Sequence, residues 1–201
     1  MNYDALIIGG GAAGLSCALV LGSGLSKEFA AGKTVGLIAH QRASHLASAQ
    51  LNNVLGLPRG TAGNDILTSG LEQLETLYPG VEIIQKEKVL KIAFLEGKFE
   101  VSTNKNTYFS TVVVIATGYA RPFTIQGLEE YIIPHKKAKT SKERIQLYND
   151  DHLVRPGLYV AGSLAGHRSQ YAIACGSGAA VATDVLTLWN GGEHTKVHDK
   201  I

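Results

Sequence analysis

Two cysteines, five prolines, one tryptophan and one methionine are all that 201 residues supply of those types. Cys17 and Cys175 stand far apart with no Cys-x-x-Cys motif, which removes a sequence-local redox dithiol and any zinc-ligand spacing. No uninterrupted apolar run reaches the roughly eighteen residues of a membrane span, so no membrane association is expected. The first apolar run follows Asp4 rather than a basic leader, which argues against a secretory signal and leads to the expectation of a cytoplasmic protein. Charge is sparse and balanced: 18% of residues are charged, and a net +2 is too mild for a nucleic-acid partner. What the chain has in quantity is apolar residues, at 45%, and 23 glycines. That composition, at this length, suits one α/β domain over 1–201.

The glycines are placed, not scattered. Ala5-Leu6-Ile7-Ile8 runs into Gly9-Gly10-Gly11-Ala12-Ala13-Gly14, a buried strand entering a Gly-x-Gly-x-x-Gly turn at the start of a helix. This is the opening of a dinucleotide-binding unit. Gly9 permits the turn, Gly11 lets a pyrophosphate approach the backbone, and Gly14 lets the helix lie close to the strand. Strand 4–8, helix 12–22 and strand 33–39 complete a βαβ unit whose right-handed crossover sets the two strands side by side. Such units usually end their second strand on a carboxylate that holds a ribose. Here the chain reads Ala39-His40-Gln41-Arg42, with no carboxylate before Asp65. Three readings stay open: His40 or Gln41 makes the ribose contact, Arg42 faces a phosphate, or the site has ceased to bind a dinucleotide.

Residues 43–64 show no periodicity and read as a long functional loop. Asp65 is the expected N-cap of a helix over 66–77, stopped by Tyr78-Pro79-Gly80. Val81–Ile84 reads as a third sheet strand, and alternating runs over 88–94, 98–103 and 107–111 as an antiparallel meander. A fourth buried strand is expected over 111–118 and a last one over 157–163. A helix from Gln170 to Leu188, rich in small residues, closes the chain. Between those last two strands, 119–156 holds only 38 residues, and its basic run His135–Arg144 reads as a solvated hairpin.

Four segments in order, IIGGGAAGLS at 7–16, NVLGLP at 53–58, VVVIATGYARP at 112–122 and GLYVAGSLAGHRSQYAIACGSGAA at 157–180, carry a resemblance over nearly the whole chain. It resembles the FAD-binding domain of the thioredoxin reductase branch of the pyridine nucleotide-disulfide oxidoreductases. The resemblance implies a three-layer FAD/NAD(P)-binding Rossmann-like fold, with a parallel sheet and an antiparallel β-meander, and FAD as cofactor. It puts the pyrophosphate over Gly9, Gly11, Ala12, Ala13 and Gly14, and brings Asn53, Thr117 and Gly118 to the flavin and ribityl region. Val89 would offer its backbone to the adenine, and Gln170, Tyr171 and Ala172 would bring a helix N-terminus to the flavin's pyrimidine end.

Departures from that family pattern are as specific. Its members split this domain around a second glycine-rich domain that binds NADPH, and such an insert needs about 100 residues. The 119–156 connection is too short for one. The family's Ala-Gly-Asp block is Ala161-Gly162-Ser163 here, so Gly162 and Ser163 meet the ribityl chain without a charge. Among single residues, His167 and Arg168 fall in the loop expected beside the flavin, Cys17 and Cys175 are expected in the core, and His45 joins His40 as a candidate adenosine contact. The resulting expectation is an FAD-dependent oxidoreductase whose electrons come from free NAD(P)H or a redox partner protein, assembled as a homodimer. The alternative is a non-catalytic flavin- or nucleotide-binding module; a simple NAD(P)-binding Rossmann reductase fits the meander less well.

Overall fold

The computed structural model describes residues 1–39, 44–119 and 122–198. In chain order the elements are β1 (Asn2–Ile8), α1 (Ala12–Gly24), β2 (Val35–Ile38), the short hairpin β3 (Gln50–Leu51) and β4 (Thr61–Ala62), α2 (Gly63–Leu77), β5 (Val81–Ile84), β6 (Val89–Leu95), β7 (Lys98–Thr103) and β8 (Thr107–Ile115). The hairpin β9 (Ile132–Pro134) and β10 (Ile145–Leu147), then β11 (Leu153–Arg155), β12 (Leu158–Val160) and α3 (Tyr171–Trp189), complete it.

The main sheet runs β11-β12-β8-β1-β2-β5. From β12 to β5 all neighbours are parallel, with Ala5 opposite Val35 on one side and Val112 on the other. Successive side chains of a strand point to opposite faces, and β1 shows the consequence. Ala5 and Ile7 face a core shared with α1, α2 and α3, whereas Leu6 and Ile8 face a second core under the meander. Helices, sheet and meander thus make the three layers expected.

Two expectations are corrected. The runs 107–111 and 111–118 are one strand: the first half of β8 pairs antiparallel with β7, and from Val113 its partner on that edge becomes β12, in parallel. Asp65 does not cap α2; the helix begins earlier, its N-cap is Ala62, and Asp65 is an exposed residue of the first turn. Gly63 sets that start, because a Cβ there would overlap the Leu46 carbonyl.

α1 and α3 share the core on the helical face of the sheet and touch each other through small residues. A Cβ on Gly178 of α3 would fall on the Ala13 carbonyl. Among the described helices α3 has the length and apolar composition of a membrane span. Its Val181, Ala182, Val185 and Leu186 are nevertheless fully buried in the core shared with α1.

Candidate functional site

The turn between β1 and α1 is fixed by its neighbours. Gly9 has φ +117°, and a Cβ on it would stand 2.5 Å from the Ala116 carbonyl oxygen of the strand beside it. A Cβ on Gly10 would stand 2.7 Å from the carbonyl of Ala39, and one on Gly14 would overlap the carbonyl of Gly9. Gly11 differs: a Cβ there meets only the Ser44 side chain, at 3.3 Å. The packing of the chain demands glycine at 9, 10 and 14, while position 11 opens onto a cavity.

That cavity, about 240 Å³, is walled by the Gly9–Ala13 turn, Ala116–Tyr119, Ala161–Ser163, Arg168–Tyr171 and the stretch from Ser44 to Leu51. Two helices begin at it. α1 has Gly11 as N-cap and α3 has Gln170; neither cap makes a side-chain hydrogen bond, and neither first turn holds an acid. The leading N–H groups of both helices therefore lack the side-chain acceptors that usually satisfy them, and both macrodipoles present positive ends. Among the described residues no lining residue is a carboxylate, and Arg168 adds a cation. The buried Thr117 hydroxyl in the same wall has no hydrogen-bond partner among the described residues. The arrangement suits an elongated ligand with anionic or acceptor-rich groups at two places.

Of the residues singled out in the sequence, Gly9, Gly11, Ala12, Ala13, Thr117, Gly118, Gly162, Ser163, Gln170 and Tyr171 share this one cavity. Gly14 lies behind it as a packing residue. Asn53 is exposed on the β3–β4 loop, Val89 is buried at the start of β6, and Ala172 is exposed on the first turn of α3, all three outside the cavity wall. His40, Gln41 and Arg42 lie outside the described residues. Cys17 is fully buried as expected, and burial pushes its thiol up. Cys175 is only half-buried; burial and then a hydrogen bond with Cys175 push the Tyr171 phenol up to about 12, so it stays protonated at neutral pH.

Other wall residues escaped the sequence. Tyr119 stands edge-on to His45 and to His135, with ring centroids 6.1 and 5.2 Å away, and the Arg144 guanidinium lies 4.8 Å over its ring. His135, expected in a solvated run, is buried, and its Nε2 lies 3.0 Å from the Ser163 carbonyl oxygen. Behind the wall, the Gly162 N–H donates to Ser177 Oγ at 2.8 Å, Ser177 Oγ lies 2.9 Å from His152 Nε2, and His152 Nε2 lies 3.1 Å from His167 Nε2. Burial, then His152, Lys137 and Lys136, hold the His167 imidazole below its usual pKa. The wall at Gly162 is thus braced by a chain of side chains that no local motif announces.

The sequence profile of the pyridine nucleotide-disulphide oxidoreductases matches residues 3–179. The chain belongs to this family. Two ferredoxin–NADP reductases, from Streptococcus agalactiae serotype Ia and serotype III, are each 30% identical over 117 residues, which is 58% of this chain and 34% of theirs. The chain therefore aligns with about a third of the length of these relatives. Among solved structures, a thioredoxin reductase from Gloeobacter violaceus has a TM-score of 0.72 at 15% identity, covering 100% of this chain and 98% of that one. A ferredoxin-flavin thioredoxin reductase from Clostridium acetobutylicum has a TM-score of 0.69 at 18% identity, covering 95% and 98%. Those structures share the fold of this family member.

Proposed function

We propose that this family member is an FAD-dependent oxidoreductase, without an NADPH domain in its 119–156 connection or a redox dithiol, that takes its electrons from an external donor. One observation carries the reading: two helix N-termini without side-chain caps, α1 and α3, meet at one cavity that no carboxylate lines among the described residues. The residues fit the cofactor. N–H groups at Ala12 and Ala13 would hold the pyrophosphate, with Gly11 leaving room for it. Thr117 Oγ1, buried without a partner among the described residues, would donate to the ribityl–flavin region. The start of α3, at Gln170 and Tyr171, would face the flavin's pyrimidine end and favour negative charge there.

When bound, FAD supplies the redox chemistry, while the chain supplies position and electrostatics. Arg168 adds positive charge beside α3, and the braced Gly162–Ser163 wall keeps the α3 end of the cavity in register. The donor is free NAD(P)H or a partner protein, and the protein assembles as a homodimer. Ser163, with no charge where the family pattern has aspartate, supports a second reading as a flavin-binding module without turnover. Anaerobic mixing of the purified protein with NADPH or a reduced protein carrier separates them. Bleaching of flavin absorbance supports the enzyme; a yellow protein that no donor bleaches supports the module; a colourless protein that takes up no FAD overturns both.

A further inference from the structure

The Gly162–Ser163 segment of the cavity wall is held at both ends by way of imidazoles. At one end the Ser163 carbonyl oxygen lies 3.0 Å from His135 Nε2, and the Lys137 N–H donates to His135 Nδ1 at 3.1 Å. A carbonyl only accepts and a backbone N–H only donates, so Nε2 carries the ring hydrogen and Nδ1 the lone pair. Both contacts exist together only for the uncharged ring. At the other end the Gly162 N–H donates to Ser177 Oγ, which lies 2.9 Å from His152 Nε2, itself 3.1 Å from His167 Nε2. Two facing ring nitrogens at that distance share one hydrogen. When both imidazoles are charged, each nitrogen carries its own and the contact is lost.

The backbone is strained to put His152 there. Asp151 and His152 have φ +41° and +75°, the left-handed region that side-chain-bearing residues rarely adopt, and two in succession persist only where surrounding contacts over-determine them. His152 is buried, and its Nδ1, without a hydrogen-bond partner among the described residues, faces Asp151 Oδ1 at 3.6 Å. The charged groups around the pair are Asp151 from its own turn, Asp184 from α3, and Lys136 and Lys137 from the β9–β10 loop. Burial, His152 and the two lysines oppose a charge on His167, and only Asp151 favours it. Around His135 stand Lys136, Lys137 and, across the Tyr119 ring, Arg144. No carboxylate pairs with His135 among the described residues.

We infer that the Gly162–Ser163 wall is an acid-released clasp: proton uptake from solvent by His135 and by the His152–His167 pair frees the α3 end of the cavity and weakens its hold on the ligand. The inference rests on reading the cavity as a flavin site, which makes that ligand FAD. His167 directly precedes Arg168 and Ser169 of the wall and Gln170, the N-cap of α3. A charged His167, half-buried in the closed clasp, turns to solvent and takes that stretch with it. The closed wall binds fewer protons than the released one, so affinity falls as the pH drops. Charge alone would act with the opposite sign, since added cations beside the cavity would tighten an anionic ligand. The direction of the pH profile therefore separates a clasp from a merely electropositive wall.

The test titrates FAD onto the stripped, refolded full chain between about pH 7.5 and 5.5, at fixed ionic strength, with binding read from flavin fluorescence. FAD has no group of its own that titrates in that interval. The parent weakens by at least about threefold from the upper to the lower pH. In the double variant His135→Gln, His167→Gln, whose side chains donate hydrogen bonds but carry no charge at any pH used, the dissociation constant stays level whatever its absolute value. Urea melts at each pH confirm that the chain is folded, and His167→Gln alone, which replaces a half-buried ring, must already reduce the slope. Amide hydrogen exchange over 162–170, corrected for its intrinsic pH dependence, supplies a readout without ligand: it quickens with acid in the parent and not in the double variant. A parent affinity that is level or tightens with acid, a double variant with the parent's slope, or exchange over 162–170 that ignores pH would overturn the inference. A chain that takes up no FAD at pH 7.5, yet loosens over 162–170 in acid, sinks the flavin reading and supports the clasp. A yellow chain with a level profile sinks the clasp alone.

Discussion

Replacing Gly11 with aspartate should move stability and ligand affinity in opposite directions. Gly11 is the N-cap of α1, with φ −84° and ψ −173°, extended backbone that any residue adopts. Aspartate is a preferred N-cap and outperforms glycine by a few tenths of a kcal/mol. Its charge at a helix start free of acids adds roughly 0.3–1 kcal/mol. The new Cβ meets only the Ser44 side chain, at 3.3 Å, on a residue that can turn away. Stability should therefore hold or rise by about 0.5–1 kcal/mol, raising Tm by about 1–4 °C. The same carboxylate stands where the pyrophosphate would lie. Two like charges about 4 Å apart at an effective dielectric near 20 repel by about 4 kcal/mol, so FAD affinity should fall by roughly a thousandfold. Gly11→Ala, which adds bulk without charge, should lose far less. Calorimetric FAD titration and thermal melts on the three proteins decide it. If Gly11→Asp binds FAD like the parent, the α1 terminus is not the phosphate site, and if it unfolds the protein, position 11 is structural.

Gly14→Ala should behave in the opposite way: its Cβ overlaps the Gly9 carbonyl, backbone that cannot yield, so a loss of about 2–3 kcal/mol is expected in urea melts even after the gain in helix propensity. Glu87 accepts hydrogen bonds from Thr103, Asn106 and Tyr108 at 2.8, 2.6 and 2.9 Å. Burial alone would raise its pKa, but these bonds outweigh it and hold the carboxyl below its usual value. Glu87→Ala leaves the buried Tyr108 hydroxyl short of its acceptor and should cost about 2–4 kcal/mol at neutral pH. In the parent, this carboxylate's contribution is present above its unfolded pKa of about 4.3 and is lost as the pH falls through the lower folded value. His167 gives the opposite slope. Because its folded pKa lies below the unfolded 6.5 or so, the unfolded chain takes up that proton first, and stability should fall as the pH drops below about 6.5 and level off below the folded value. His167→Gln should flatten that limb of a plot of urea midpoint against pH.

How much was legible follows the range of the interactions. The β1–α1 turn was readable because its glycines keep the spacing of a strand–turn–helix motif and Gly14 answers a contact with nearby Gly9, although Gly9 itself answers Ala116 across the sheet. β8 was read as two strands because its burial changes character midway. Tyr108 and Ser110 are buried between exposed neighbours where only one face is covered, and Val112–Ile115 are continuously buried where both are. The change of partner from β7 to β12 leaves no other mark in the sequence. Asp65 misled because the start of α2 is set by Gly63 against Leu46, a contact between segments rather than a cap. At the site, backbone-presenting positions such as Thr117, Gly118 and Gly162 were legible from their motifs. His152, Ser177 and Tyr119 were not, since only the fold brings Asp151–His152 of the β10–β11 connection beside α3 and Tyr119 beside His45.

The central claim is that the cavity between α1 and α3 holds FAD. The direct measurement strips the purified protein of ligand by heat or denaturant, identifies what is released, and titrates FAD back onto refolded chain. The account predicts release of FAD, absorbance near 450 nm in the intact protein, and rebinding with a dissociation constant of about 1 µM or tighter, at least −8 kcal/mol. A colourless protein that releases no flavin and gives no heat with added FAD would contradict it.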